Sequence, residues 1–390
     1  MSTDFKQQDK QYIVGSYGRF DVVLKKGKNA TCWDVDGKEY IDFTSGIGVN
    51  SLGYADEGWA AAVARQAGCL QHASNLYYTT PAVELAKALC GQTGCDKVFF
   101  VNSGAEANEC AIKAARKYSF DKYGKERTEI VTLQNSFHGR TVTTLAATGQ
   151  DVFHNFFFPF TEGFSYAKPN DLENLKATIT ENTCAVMMEL IQGEGGVLPL
   201  NSEFVRQAAA YCKERDILLI VDEVQTGVGR TGTFLASEHY GITPDLTTLA
   251  KGLGGGLPIG AVLFGKNVSG VLGPGQHGTT FGGNPVACAA GCEVLRRVCQ
   301  PGFLDEVAKK GVYLREKLTQ IPEVEGVDGE GMMLGVRLKT KTSADAAKAC
   351  VQNGLLILTA KHKLRLLPPL TITMEEIDKG LAILANVLAG

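Results

Sequence analysis

The sequence predicts an α/β fold: a mostly parallel central sheet with helices on both faces, and a smaller C-terminal α/β unit. Three observations predict it. Between about residues 50 and 290, apolar runs of strand length alternate with helical patterns. Such alternation implies parallel pairing, because successive parallel strands need a crossover that a helix supplies. The runs are almost continuously apolar (KVFFV, ILLIV), as strands covered on both faces must be. After about Gln300 the order changes to helix, strand, helix, two strands and a final helix, which marks a separate unit.

The elements follow in order. Thr31–Phe43 alternates and turns at Asp36-Gly37, a hairpin signal. Trp59–Ala67 reads as a helix, and Pro81 opens another at Ala82–Leu89, the favoured place for proline. Lys97–Val101 is a buried strand that runs into the helix Ala105–Tyr118. Glu129–Leu133 and Cys184–Leu190 are further strands, with an aromatic-rich loop, Phe153–Phe160, between them that suits core or interface packing. The helix Phe204–Arg215 precedes the strand Ile217–Val221. Ala261–Phe264 is a strand and Val286–Val298 a helix. In the last unit, Leu304–Leu318, Ala344–Gln352 and Glu375–Leu388 are helices, and Met332–Leu338, Leu355–Thr359 and Leu364–Leu367 strands. With 390 residues the chain exceeds the size at which one core keeps growing. The expected division is an N-terminal segment (1–50) packing with the small unit, a large domain (51–290) and a small C-terminal domain (291–390).

Composition excludes several functions. A net charge of −3 gives no footprint for nucleic acid or an anionic membrane. The eleven cysteines are scattered, with no paired CxxC or Cys/His set, so no metal site is expected. Free thiols in a reducing cytoplasm are the expectation, since the polar N-terminus lacks a signal-peptide core and no apolar run reaches membrane length.

The chemistry centres on ILLIVDE and AKGLGGG. Asp222 and Glu223 end a buried strand, and Lys251 follows another strand-like run amid glycines. A lysine that can form a Schiff base, with an acid for a heterocyclic nitrogen, meets the two protein demands of pyridoxal phosphate (PLP). The turn Asn102-Ser103-Gly104 between strand and helix supplies free amides and a helix dipole for an anion. Phe137, just past a strand end, can stack on a flat ring. Arg140 can grip a carboxylate, and Glu194 among glycines has room to move. His138 suits either chemistry or packing. Asn102, Phe137, Glu189 and Asp222 all fall at strand ends, which puts them on the edge where such sheets bind ligands.

Two motifs mislead. Gly227–Gly232 (GVGRTG) matches GxGxxG, the mark of an NAD-dependent oxidoreductase, but does not open a long helix at the strand end. Ser119-x-x-Lys122 lies inside a helix with none of its usual partners.

Taken together, SNLYYTTP, NSGAEANE, FHGRT, IQGEGGV, DEVQTGVGRTG, AKGLGGGLPIGA, GTTFGGNP and LRLLPPL resemble the class III aminotransferases of PLP fold type I. The likeness runs nearly the full length and is nearest the acetylornithine type. It implies that Lys251 bonds the cofactor and shuttles a proton while Asp222 pairs with the pyridine nitrogen. Ser103, Gly104 and Ala105 would cradle the phosphate, and Phe137 and Val224 would cover the two ring faces. Gln225 would bond the ring oxygen, and Glu223 is grouped with these cofactor residues. Thr280 would reach the phosphate of a neighbouring subunit, so a homodimer is implied. Arg365 would anchor 2-oxoglutarate, with Glu194 pairing to it between half-reactions. Arg140 and Thr279 would hold the amino donor. The implied donor is N-acetylornithine, in a step of arginine biosynthesis. N-succinylornithine, ornithine or another ω-amine, and an aminomutase, are the alternatives. Departures from the family pattern fall at Asp21, Asp56, Glu57 and Leu190, none of them a chemical position.

Overall fold

The computed structural model describes residues 2–390. Near the N-terminus, β1 (Leu24–Lys28), β2 (Thr31–Asp34) and β3 (Glu39–Asp42) form an antiparallel meander. Its second turn is the expected one: Gly37 takes φ +89°, a conformation that glycine adopts without steric cost.

The central sheet contains β4 (Lys97–Val101), β5 (Glu129–Leu133), β6 (Phe164–Ala167) and β7 (Thr183–Met188). A short ribbon of β8 (Ile191–Gln192) and β9 (Leu198–Pro199) projects beyond β7. The sheet is completed by β10 (Leu218–Asp222), β11 (Leu246–Leu249) and β12 (Gly260–Phe264). Its order is β4-β12-β11-β10-β7-β5-β6, and β12 alone runs against its neighbours. The expected mostly parallel sheet is present.

Both faces are covered, which is why the strands read as unbroken apolar runs. Leu218 and Ile220 pack with Ala107, Cys110, Ala111 and Ala114 of the helix Gly104–Tyr123. Their strand neighbours Leu219 and Val221 pack on the opposite face with Val205, Ala208 and Cys212 of the helix Ser202–Glu214. The alternation is the strand's two-residue period expressed against two helices.

The C-terminal unit contains β13 (Val324–Glu330), β14 (Met333–Leu338), β15 (Leu355–Leu356), β16 (Leu358–Ala360) and β17 (Lys363–Leu366). Two expectations are corrected here. Leu355–Thr359 is not one strand: it breaks at Ile357. β15 pairs with β3 of the N-terminal sheet, and β16 joins the antiparallel sheet β13-β14-β17-β16. The sequence reading also lacked β13, because its glycines and acids (VEGVDGE) hide any apolar alternation. The β3–β15 pairing binds the N-terminal segment to the C-terminal unit.

The aromatic loop does not join the core of this chain: Phe156, Phe157 and Phe158 are 81%, 60% and 70% exposed. Among the described residues no helix is long and apolar enough to cross a membrane, and no cluster of His, Cys, Asp or Glu could hold a metal ion.

Candidate active site

At the carboxyl ends of the central strands a cavity of about 470 Å³ opens. It is lined by Ser103, Gly104 and Ala105, by Phe137 and Arg140, and by Asp222, Val224, Gln225 and Lys251. The strand ends thus do converge, as the shared edge predicts.

Lys251 sits on a single 3₁₀ turn directly after β11 and takes φ +40°, an unfavourable region for a side-chain-bearing residue. Burial among protein atoms pulls its ammonium down to about 8. The Arg365 charge adds to this, while Glu194, Asp222 and Glu189 oppose it.

Asp222 is held by a web of donors. Its Oδ2 accepts from Asn108 Nδ2 at 2.8 Å and pairs with His138 Nδ1 at 2.8 Å, and its Oδ1 accepts from the Val224 amide at 3.0 Å. Asn108 also donates to the His138 carbonyl at 2.7 Å, tying helix, loop and strand together. Asn108 was missed in the sequence. The signal was there: a lone amide, now 1% exposed, on the alanine-rich buried face of the helix, four residues after Gly104.

Ser103 caps the helix, accepting from the Glu106 amide at 3.2 Å, while Glu106 accepts from the Asn102 amide at 2.6 Å. The first amides of the helix lack intrahelical partners, and Ser103, Gly104 and Ala105 at this end line the cavity. Gly104 is required there: a Cβ would lie 2.6 Å from Val224 Cγ1.

The Phe137 amide donates to Glu189 Oε1 at 2.8 Å, and Glu189 Oε2 accepts from the Gly193 amide at 3.2 Å. One carboxyl therefore ties the aromatic wall to the glycine turn that carries Glu194. Burial, with some help from Asp222 and against His138, raises Glu189 to about 7.

Arg365, on β17, is 3% exposed and reaches Glu194 Oε1 at 2.5 Å and Gln225 Oε1 at 3.4 Å. Arg140 is exposed and makes no ion pair or hydrogen bond with any described residue. Its guanidinium lies over the rings of Phe153, 4.3 Å away, and Phe137, 5.5 Å away. Thr279 stands behind the cradle, its Oγ1 accepting from Asn102 at 2.9 Å. Thr280 is exposed and lines no part of this chain's own cavity.

Glu223 is a correction. Its carboxylate points away from the cavity, accepting from Thr226 Oγ1 (2.6 Å) and from the amides of Ala236 (2.9 Å) and Ser237 (2.8 Å). Asp222 is the last residue of β10, and Glu223, just past the strand end, is committed to those three donors. Glu223 fastens the following loop instead. That loop holds GVGRTG, and it forms no phosphate turn. Arg230 is buried and donates to the carbonyls of Met332 (3.1 Å) and Pro368 (2.5 Å), and the next helix, Ser237–Tyr240, is only four residues long.

The residues fit PLP. There is a neutralisable lysine, a carboxylate fixed by donors, a helix N-terminus that excludes a Cβ, and an aromatic wall within one cavity. The fold and this site define a PLP-dependent transferase of fold type I, and the comparisons with known proteins agree. Residues 12–388 match the family Aminotransferase class-III, and the chain belongs to that family. The acetylornithine aminotransferase of Haemophilus ducreyi is 52% identical over 390 residues, covering 100% of this chain and 99% of that protein. That of Methanocaldococcus jannaschii is 46% identical, covering 95% and 94%. Among solved structures, the Toxoplasma gondii ornithine aminotransferase superposes with a TM-score of 0.95 at 33% identity, covering 100% and 95%. The N-acetylornithine aminotransferase of Stenotrophomonas maltophilia gives 0.85 at 35%, covering 98% of both chains.

Proposed function

We propose that the chain transfers the δ-amino group of N-acetylornithine to 2-oxoglutarate, yielding N-acetylglutamate 5-semialdehyde and glutamate. The observation that carries this reading is the inequality of two arginines at one cavity. Arg365 is buried and covered by Glu194, whereas Arg140 is exposed and has no acid partner. A covered arginine suits a reaction whose two substrates alternate: Glu194 neutralises it while the ω-amine is present and yields it to the dicarboxylate. An uncovered arginine suits a carboxylate at the far end of the donor. The relatives named acetylornithine aminotransferase support the same donor.

Bound PLP supplies the carbonyl that takes the amine and the ring that accepts the electron pair released at the substrate carbon. The chain's residues do the rest. Lys251 Nζ, neutral above about 8, takes the proton from the substrate carbon and returns it on the cofactor side. Asp222, fixed by Val224 at Oδ1 and by Asn108 and His138 at Oδ2, keeps a free acceptor site on Oδ1 and is oriented to hold a proton on the pyridine nitrogen. Ser103, Gly104 and Ala105 bind the phosphate, Phe137 and Val224 confine the ring, and Gln225 bonds its hydroxyl. Thr279 assists at the donor side. A second copy completes the site with Thr280, making a homodimer. Residues 1–50 and 291–390 act as one small unit against the large domain, and the free thiols suit the cytoplasm.

A donor panel at fixed 2-oxoglutarate, run with wild type and Arg140→Ala, tests this. Loss of a bidentate charge pair should raise KM for N-acetylornithine about 10- to 100-fold and leave KM for 2-oxoglutarate within about 2-fold. Equal effects on both would mean the two arginines are misassigned. A wild-type kcat/KM for ornithine or N-succinylornithine at or above that for N-acetylornithine would overturn the donor.

A further inference from the structure

We propose that Phe153 is a positioning residue for donor recognition: its ring holds the guanidinium of Arg140 in place at the edge of the cavity that Arg140 lines. The proposal rests on the reading of Arg140 as the donor-carboxylate grip, and adds the residue that prepares it.

The geometry is direct. Arg140 Cζ lies 4.3 Å from the Phe153 ring centroid and 5.5 Å from that of Phe137. The two rings meet edge to face, with centroids 5.7 Å apart at 66°. No hydrogen bond or ion pair to a described residue restrains the guanidinium, so the aromatic faces are what orient it. A guanidinium stacked on a ring spends its π-face there and keeps its planar N–H fork free, the shape that a carboxylate takes in bidentate fashion.

Phe153 is itself fixed relative to Arg140. It ends the turn Asp151–Phe153, just after a stretch sewn to the segment that leads into Phe137 and Arg140. The Asn135 amide donates to the Gly149 carbonyl at 2.7 Å, and the Gly149 amide to Ser136 Oγ at 3.0 Å. Gln150 Nε2 donates to the Ser136 carbonyl at 3.0 Å. The approach at Gly149 is so close that a Cβ would fall 2.1 Å from the Leu133 carbonyl oxygen. These bonds set the spacing between the two segments, so ring and guanidinium are held in place before a donor arrives. Pre-ordering a long, flexible arginine raises affinity without adding a contact to the ligand.

The test uses the holoenzyme and a double-mutant cycle. Phe153→Leu keeps the apolar bulk and removes the ring face; Phe153→Tyr keeps the face. In Phe153→Leu, KM for N-acetylornithine should rise about 5- to 10-fold with KM for 2-oxoglutarate within about 2-fold, and Phe153→Tyr should restore it. Added to Arg140→Ala, Phe153→Leu should change KM for N-acetylornithine by less than about 2-fold, because its partner is already gone. Equal rises for both substrates, or a full-sized effect on the Arg140→Ala background, would overturn the proposal. If Arg140→Ala itself leaves KM for N-acetylornithine unchanged, the reading of Arg140 fails. If it raises that KM but Phe153→Leu does not, only the role of Phe153 fails.

Discussion

Glu194 Oε1 lies 2.5 Å from Arg365 Nη1, and this ion pair joins the glycine-rich turn of the β8–β9 ribbon to a strand of the C-terminal unit. The partners differ in environment: the Arg365 side chain is 4% exposed and that of Glu194 is 32%. The arginine is the fixed half and the carboxylate the half with room to move. Arg365 Nε has no partner at all, so its fork has capacity for a substrate carboxylate.

Glu194→Gln, which keeps shape and removes charge, should therefore separate the two half-reactions. Single-turnover rates with N-acetylornithine should fall about 10- to 100-fold, since the buried cation is left uncovered or captures the donor's carboxylate end the wrong way round. Rates with glutamate should stay the same or rise. A parallel fall in both would show that Glu194 is a static support.

Lys251 should be an unusually good nucleophile. Its ammonium is held at about 8 against an ordinary 10.5, so the neutral amine dominates above about pH 8. Stopped-flow absorbance of PLP capture by the cofactor-free enzyme should rise with pH through a midpoint near 8. Because the Arg365 charge contributes to the depression, Arg365→Met should move that midpoint upward. The sign for stability follows. Between about pH 8 and 10.5 the unfolded chain binds more protons at this group than the folded one, so the cofactor-free fold gains stability as pH rises through that window. A capture midpoint near 10.5 would show that the lysine is not perturbed.

Gly104 and Val224 should behave as a pair. A methyl group at Gly104 would stand 2.6 Å from Val224 Cγ1 on the cradle floor. Gly104→Ala should weaken PLP binding about 10-fold or more, in line with a typical overpacking cost of about 1–3 kcal/mol. Combining it with Val224→Ala should recover part of the loss. PLP titration by absorbance reads both, and the absence of any recovery would put the fault elsewhere in the turn.

Arg230 should prove structural. Its buried guanidinium joins the loop after Asp222 to the C-terminal unit through the carbonyls of Met332 and Pro368. Arg230→Met leaves those acceptors unpaired and should cost about 2–4 kcal/mol, read as a lowered Tm in thermal unfolding. A change in NAD affinity with an unaltered Tm would instead revive the dinucleotide reading of GVGRTG.

The central fold was legible because each apolar run carries its own period and its own stop signals. The ends of β4, β7 and β10 sit within a residue or two of their expected places; Asn102 and Glu189 follow at once, and Asp222 closes β10. The site was legible to the extent that chemistry depends on residue type at a strand end: Lys251, Asp222, Phe137 and the Gly104 turn are local facts. Asn108 was missed because its role comes from what it faces across the sheet. Glu223 was misgrouped because sequence adjacency suggested a shared task, whereas its carboxylate is taken up by Thr226, Ala236 and Ser237 of the following loop. β13 and the split of Leu355–Thr359 were invisible, since short glycine-broken strands take their identity from the partners they pair with.

By itself, then, the sequence determined the layered α/β architecture, the sheet edge at which the candidate site residues gather and the cofactor of the family. Those depend on periodicity, strand termini and residue type, all written within a few positions of one another. Tertiary structure alone decided that Arg365 meets Glu194 across 171 residues of chain, and that the Arg140 guanidinium lies over the Phe153 ring. It also decided that β3 takes its strand partner from near the other end of the molecule. Such pairings follow from where packed layers bring distant segments, and no local pattern encodes that distance.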